Sequence, residues 1–210
     1  MHIAIVGGKR VRIRLADDLR EERSHSVSLS ADLYHTFGKV QTNLLVEGFY
    51  TILDDVFALR DMDDAADGGK VKERYNGSGA TVRGFNVEGR AAFTRWFELQ
   101  AGVTLQQSRY KEPEFWSEDA EVPPVRRMFR TPDAYGYFTA SFKPVRNFTA
   151  DLSGTCTGSM LVQHMAGSGV AQDVAVSTPS FFDMNIRLSY DVRIYKEITC
   201  LLYTSPSPRD

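Results

Sequence analysis

Residues 97–110, FELQAGVTLQQSRY, alternate apolar and polar side chains along most of their length. The apolar series consists of Phe97, Leu99, Ala101, Val103 and Leu105. A period of two residues is typical of a β-strand, whereas a helix repeats about every 3.6 residues. The stretch therefore predicts a strand with one apolar face and one polar face.

The same alternation recurs along most of the chain. It is clear in residues 24–36, 149–160 and 182–193, and weaker in residues 11–15, 41–53 and 137–143. In residues 81–90 the alternation changes phase at Gly84, where we expect a β-bulge. Several of these stretches exceed the usual globular strand of about 5–6 residues and reach the roughly 9–11 residues that cross a bilayer at a tilt.

The connections between these segments alternate between short and long. The long polar ones occupy residues 60–79, 111–134 and 164–179. Short and long connections therefore lie at opposite ends of the strands, as in up-and-down membrane barrels. Compact soluble domains rarely carry structureless loops of such length, because their connections usually have about 4–6 residues.

These patterns predict an all-β fold, an antiparallel up-and-down transmembrane β-barrel with long extracellular loops and short periplasmic turns. In such a barrel the apolar side chains face lipid and the polar ones face the lumen. The residues expected to face the lumen are Gln100, Thr104, Ser153, Asn185 and Arg187. The same alternation would turn Arg12 and Arg14 inward. The alternative is a soluble β-rich binding module whose apolar faces pack a core.

Composition narrows the possible functions. Of the 210 residues, 42% are hydrophobic and 25% are charged, so the chain has enough apolar material to fold. Its 25 basic and 27 acidic residues give a net charge of -2, which argues against nucleic acid as a partner. Two cysteines cannot form a disulfide framework, and no apolar run approaches the roughly 18 residues of a membrane-spanning helix.

No motif in the sequence indicates catalysis. The four histidines lie outside any HExxH or CxxC pattern, and no serine lies in a GxSxG turn. We therefore expect no enzyme activity, no cofactor and no metal site. The long connection at residues 111–134 carries Phe115 and Trp116 near Arg126 and Arg127. Aromatic and arginine side chains often supply binding energy, so these four residues are the candidate extracellular ligand site; alternatively, the aromatic pair only packs against neighbouring loops.

Five segments carry a family resemblance. They are DLREERSHSVSLSADLY (18–34), NLLVEGFYTILDDVFAL (43–59), YNGSGATVRGFNVEGR (75–90), RTPDAYGYFT (130–139) and TPSFFDMNIRLSYD (178–191). Together they resemble the C-terminal part of the barrel in Bacteroidetes-type TonB-dependent outer-membrane receptors. The resemblance implies that residues 1–199 are a partial barrel, truncated at both ends, with about eight or nine of the 22 strands.

The resemblance also implies a function for the complete protein in the cell outer membrane. Such receptors import a large, scarce nutrient of the siderophore, haem, cobalamin or glycan class by active transport coupled to TonB. The implied partners are TonB, a plug domain supplied by a missing N-terminal part, and the lipid bilayer. A passive porin-like channel would share the strand pattern without a plug, and is the alternative.

The C-terminal residues 200–210, CLLYTSPSPRD, depart from the strand pattern. They look like the translation of a sequencing adapter, so we expect them to be non-native and exclude them from the predicted fold.

Overall fold

The computed structural model describes residues 2–6, 9–62, 70–117, 119, 121–167, 170–195 and 198–204. Within these residues the chain forms fifteen β-strands. They are β1 (His2–Val6), β2 (Lys9–Leu15), β3 (Arg23–Phe37), β4 (Val40–Asp54), β5 (Phe57–Met62), β6 (Lys70–Asn76), β7 (Ala80–Thr94), β8 (Phe97–Glu114), β9 (Val125–Arg127), β10 (Ala134–Val145), β11 (Phe148–Thr157), β12 (Leu161–His164), β13 (Val174–Ser177), β14 (Phe181–Tyr195) and β15 (Ile198–Thr204).

The long strands form one antiparallel sheet in the order β15-β14-β11-β10-β8-β7-β4-β3, with β9 beside β8. Two-residue turns join β3 to β4, β7 to β8 and β10 to β11. The sheet does not close on itself, and β3 and β15 are its two edges. The all-β, antiparallel up-and-down prediction is therefore confirmed, and the barrel is partial.

The long connections are more ordered than the sequence predicts. Residues 57–76 contain β5 and β6, which join β1 and β2 in a four-stranded sheet of order β1-β2-β6-β5. Residues 161–177 contain the β12–β13 hairpin. The expectation of structureless connections is wrong there, because these segments supply strands that pair with one another.

Residues 11–15 are extended as predicted, but they belong to this small sheet and not to the barrel. Within it, β2 pairs with β6 in parallel. The expectation that Arg12 and Arg14 face the lumen is therefore wrong. The Arg14 guanidinium lies 3.7 Å from the Asp17 carboxylate and 4.0 Å from that of Glu73.

The predicted bulge at Gly84 is absent, since β7 pairs without interruption from Ala80 to Ala92 on both of its sides. The phase change has another cause. On the apolar face, Phe85 and Leu105 are cross-strand neighbours, and the next pair toward the long connections is Arg83 and Gln107. Both strands become polar on that face at the same level, which is where they would leave the bilayer.

The apolar side chains of the main sheet are largely exposed. On β3, Val27 is 74% and Leu29 is 81% exposed. Among the described residues, the buried hydrophobic side chains are only Ala16, Ala80 and Ala140. Such an exposed apolar face suits contact with lipid and lacks the packed core that a soluble β domain needs.

No helix in the described residues is long and apolar enough to cross a membrane.

The strand β15 continues to Thr204 and pairs with β14. It therefore includes residues 200–204 of the C-terminal tail, which the sequence pattern had excluded from the predicted fold. That the tail is non-native stays a prediction.

Candidate functional site

The strand register gathers the predicted lumen residues on one face of the main sheet. Directly paired residues point to the same side of a sheet. Gln100 pairs with Thr139, Thr139 with Ser153, and Ser153 with Asn185, so these four form one row across β8, β10, β11 and β14. Thr104 lies four residues beyond Gln100, which also places it on this face.

Hydrogen bonds connect neighbouring strands along this polar face. The Asn86 amide donates to the Glu47 carboxylate at 2.9 Å and accepts a hydrogen bond from the Thr104 hydroxyl at 2.8 Å. The Gln100 amide donates to the Glu88 carboxylate at 2.8 Å. Carboxylates on β4 and β7 thus accept hydrogen bonds from amides on β7 and β8.

Ion pairs continue the network. The Arg90 guanidinium donates to the Glu98 carboxylate at 2.5 Å, and Arg187 lies 3.5 Å from Asp151. The Ser141 hydroxyl also donates to Asp151, at 2.7 Å. Because Arg187 is among these groups, all five predicted lumen residues share a face that is polar and internally paired.

A cavity of about 480 Å³ lies among the long connections. Its walls come from β5 and β6, from the end of β8 and from the β12–β13 hairpin. The apolar and aromatic side chains that line it include Phe57, Leu59, Tyr110, Trp116, Met128 and Met165. A volume of this size falls within the usual range of small-molecule sites, about 300–1,000 Å³.

Backbone hydrogen bonds hold the cavity walls together. The Gly77 amide donates to Val56 O at 2.8 Å, and the Lys111 amide donates to Gly79 O at 3.0 Å. Gly79 has φ of +85°, a conformation that favours glycine, and a Cβ atom there would come within 2.3 Å of Leu53 O. The segment between β6 and β7 is thereby fixed against β8.

Glu114, at the end of β8, is the carboxylate of the cavity lining. Burial raises the pKa of the Glu114 carboxyl above its ordinary value, because a buried charge is less well solvated. Burial and the charge of Glu114 both raise the pKa of Tyr110. Burial first, and then Glu114, also raise that of Tyr75, so the carboxylate lies near both phenols.

The four residues predicted to bind ligand separate into two pairs. Phe115 and Trp116 line the cavity; Phe115 is 73% exposed, and Trp116 packs edge-on against Phe129 with ring centroids 5.5 Å apart. Arg127 instead donates to Ser159 O at 2.7 Å and lies 3.1 Å from the Asp133 carboxylate. The neighbouring Arg126 is exposed.

A single carboxylate ties the two outer walls of the cavity together. Asp173 accepts hydrogen bonds from the Ser117 hydroxyl and the Ala166 amide, both at 2.7 Å. Ser117 follows the aromatic pair, whereas Ala166 and Asp173 belong to the β12–β13 hairpin. The contact is not predictable from the sequence, because 56 residues separate Ser117 from Asp173 and no local pattern marks the pair.

We expect the hydrogen bonds of Asp173 to depend on pH. The two hydrogen bonds lower the pKa of Asp173, so their stabilisation is present above the carboxyl's ordinary pKa and is lost as the pH falls through the lowered value. We expect spin labels at Glu121 and Gln172 of the complete protein to show a narrow distance distribution at pH 7 that broadens below about pH 4. Asp173→Ala should be broad throughout, with Asp191→Ala as the control. A variant D173A that keeps the wild-type pH response would contradict the assignment.

The described residues contain no group of three or more His, Cys, Asp or Glu side chains that could hold a metal ion. The cavity lining offers aromatic rings, thioethers, the Gln163 amide, the Ser78 hydroxyl, the Lys72 ammonium and the Glu114 carboxylate.

The chain is similar to known receptor β-barrels in sequence and in fold. The family model described as "TonB dependent receptor-like, beta-barrel" matches residues 5–200. The ferric-catecholate import receptor Fiu of Escherichia coli K12 shares 14% identity and a TM-score of 0.59, over 90% of this chain and 24% of that one. A mutant ferric enterobactin receptor, PfeA of Pseudomonas aeruginosa, shares 12% identity and a TM-score of 0.58, over 97% and 29%. The chain thus spans about a quarter of the structures it resembles. No curated protein matches it.

Proposed function

We propose, on the premise that this chain belongs to the TonB dependent receptor-like β-barrel family, that the complete protein imports a nutrient across the cell outer membrane. The import is active and coupled to TonB, and the nutrient is large and scarce, of the siderophore, haem, cobalamin or glycan class. The observation that carries the proposal is the match of the family model to residues 5–200.

The geometry of the main sheet supports this assignment. One face is apolar and exposed, as contact with lipid requires, and the other carries the paired polar groups from Glu47 to Arg187. The open edges at β3 and β15 expose backbone N–H and C=O groups, which cost several kcal/mol each in hydrocarbon. In the bilayer these edges therefore pair with further strands, and the sheet forms part of a larger barrel.

The polar face then surrounds a plug domain from another part of the complete protein. Arg90, Glu98, Asp151 and Arg187 offer charges of both signs, which a plug can contact by exchangeable ion pairs. Exposed ion pairs are weak, about 0–1 kcal/mol each, so such a plug can rearrange when TonB pulls on it. In this arrangement the chain moves a nutrient and makes or breaks no covalent bond.

Growth experiments test the transport proposal. The complete gene, expressed in a host that lacks its own receptors, should permit growth on one of the four nutrient classes only when TonB is present. A matched strain without TonB is the control. Growth that does not require TonB, together with steady ionic conductance in planar bilayers, would instead indicate a passive porin.

The aromatic pair beside the cavity gives a second test of this function. Removing an aromatic side chain at the centre of a binding site can cost about 2 kcal/mol or more, which corresponds to about thirtyfold in affinity. Trp116→Ala should therefore weaken nutrient binding to whole cells by about thirtyfold or more. Phe115→Ala should weaken it in the same direction, whereas Trp96→Ala, in the short turn between β7 and β8, should leave it unchanged. Unchanged binding by both cavity variants would move the nutrient site away from this loop.

A further inference from the structure

The cavity among the long connections combines aromatic rings with a carboxylate that has no hydrogen-bond or ion-pair partner among the described residues. Tyr110, Phe115 and Trp116 contribute the rings, and Glu114 contributes the charge. The Phe57 ring also lines the cavity, but the Arg74 guanidinium already lies over it, 5.7 Å from the ring centroid. Aromatic faces attract cations through their quadrupole, and the combination of several rings with a carboxylate is how proteins recognise organic ammonium groups.

Glu114 differs from three other carboxylates near the long connections. Asp54 is paired with Lys111, Glu73 with Arg60, and Asp173 accepts two hydrogen bonds. Within the described part of the chain, Glu114 has neither a hydrogen-bond donor nor a cation within salt-bridge distance, although it is half-buried. A half-buried charge without a partner is costly, so the cavity leaves an interaction for a ligand to complete.

The cation of the cavity lining, Lys72, does not fill this role. It has an interaction of its own, and no ion pair joins it to Glu114 among the described residues. Burial raises the pKa of the Glu114 carboxyl. Among the described residues, the Glu114 carboxylate therefore lines the cavity without an ion-pair partner.

We infer that this cavity binds the ammonium group of an amphipathic organic cation, with the charge at Glu114 and the apolar part against Trp116, Met128 and Met165. The inference rests on the proposed function, because it names the chemistry of the nutrient that the loops would capture. An organic cation fits this lining better than a bare metal ion, because the described residues contain no group of three or more His, Cys, Asp or Glu side chains that could hold one. It also fits better than a polyanion, because Lys72, the cation of the lining, already has an interaction of its own.

The test uses the complete receptor in detergent, labelled with 5-fluorotryptophan, and the Trp116 resonance is assigned by its loss in Trp116→Phe. The probes are benzylammonium and benzyl alcohol, which have similar shapes and differ in charge. Benzylammonium should shift the Trp116 signal saturably and bind about tenfold more tightly than benzyl alcohol, as a desolvated cation–π contact with a charged partner allows. The Trp96 signal is the internal control.

A variant shows whether Glu114 carries this preference. Glu114→Gln should reduce the cation preference to about onefold, whereas Glu112→Gln, an exposed carboxylate two residues earlier on β8, should retain it. Equal binding of both probes to the wild type, no saturable shift, or a preserved preference in E114Q would overturn the inference. If E114Q fails to fold, the two-probe comparison on the wild type still decides.

The inference and the proposed function can fail separately. Growth that depends on TonB without cation preference in the cavity would reject the ligand class and keep the transporter. If the cavity prefers cations but growth does not require TonB, the ligand class is kept and the TonB-coupled transporter is rejected.

Discussion

Replacing Gly84 with alanine should destabilise the barrel by about 3 kcal/mol, at the upper end of the usual cost of overpacking. A Cβ atom at Gly84 would lie 2.3 Å from Leu105 O and 2.8 Å from Gln106 Cα. Both are backbone atoms of β8, so no side-chain rotation can relieve the clash. The two strands would have to separate, which weakens several ladder hydrogen bonds on each side.

The chain provides a matched control on the same strand. A Cβ atom at Gly89 would meet nothing within 4 Å, so Gly89→Ala should change stability by no more than about 0.5 kcal/mol. The measurement is the temperature at which the complete receptor in vesicles loses its folded, fast-migrating band. Equal transition temperatures for G84A and the wild type would mean that β7 and β8 lie too far apart at Gly84 for a Cβ atom to clash with Leu105 O.

Gly84 also shows where sequence reasoning failed. A phase change in the hydropathy pattern indicates either a bulge or a change of solvent along an unbroken strand, and the sequence does not distinguish them. Here β7 keeps its register through Gly84. Arg83 and Gln107 share a hydrogen bond at 2.8 Å, and they lie on the same face as Phe85 and Leu105, two residues farther along each strand toward the long connections. The strands are regular, and the surroundings of that face change.

The main sheet was predictable because the alternation in each long strand is a local property. Rows such as Gln100–Thr139–Ser153–Asn185 then follow once tight turns fix the register. The strands within the long connections were less predictable, because they are short and pair with distant segments. The parallel pairing of β2 with β6, for example, depends on residues about 60 positions apart.

The candidate site was predictable only in part, for a related reason. Phe115 and Trp116 were conspicuous as an aromatic pair in a polar connection, and both line the cavity. In the sequence, Glu114 is one of several acidic residues in the same stretch. Only the assembled cavity walls show that it has no partner among the described residues. Arg127 was equally conspicuous in sequence, yet its hydrogen bond to Ser159 O and its ion pair with Asp133 are structural contacts.

Leu152→Arg should destabilise the barrel by about 2–4 kcal/mol, which is the cost of a cationic side chain near the bilayer midplane on the lipid-facing side. Leu152 lies near the middle of β11 and pairs with Ala140 and Ile186, so its row is apolar on both sides. An arginine there would place its charge in hydrocarbon, or bend the membrane surface to reach water.

Ser153→Arg is the matched control, since it adds the same side chain one residue along the same strand. Ser153 pairs with Thr139 and Asn185 on the polar face, where a guanidinium stays hydrated, and the expected cost is about 1 kcal/mol or less. The transition temperature of the complete receptor in vesicles measures both variants. If S153R were the more damaging of the two, the faces would be assigned the wrong way round. Equal, small effects would indicate that neither face meets lipid, and the outer-membrane assignment would fail with them.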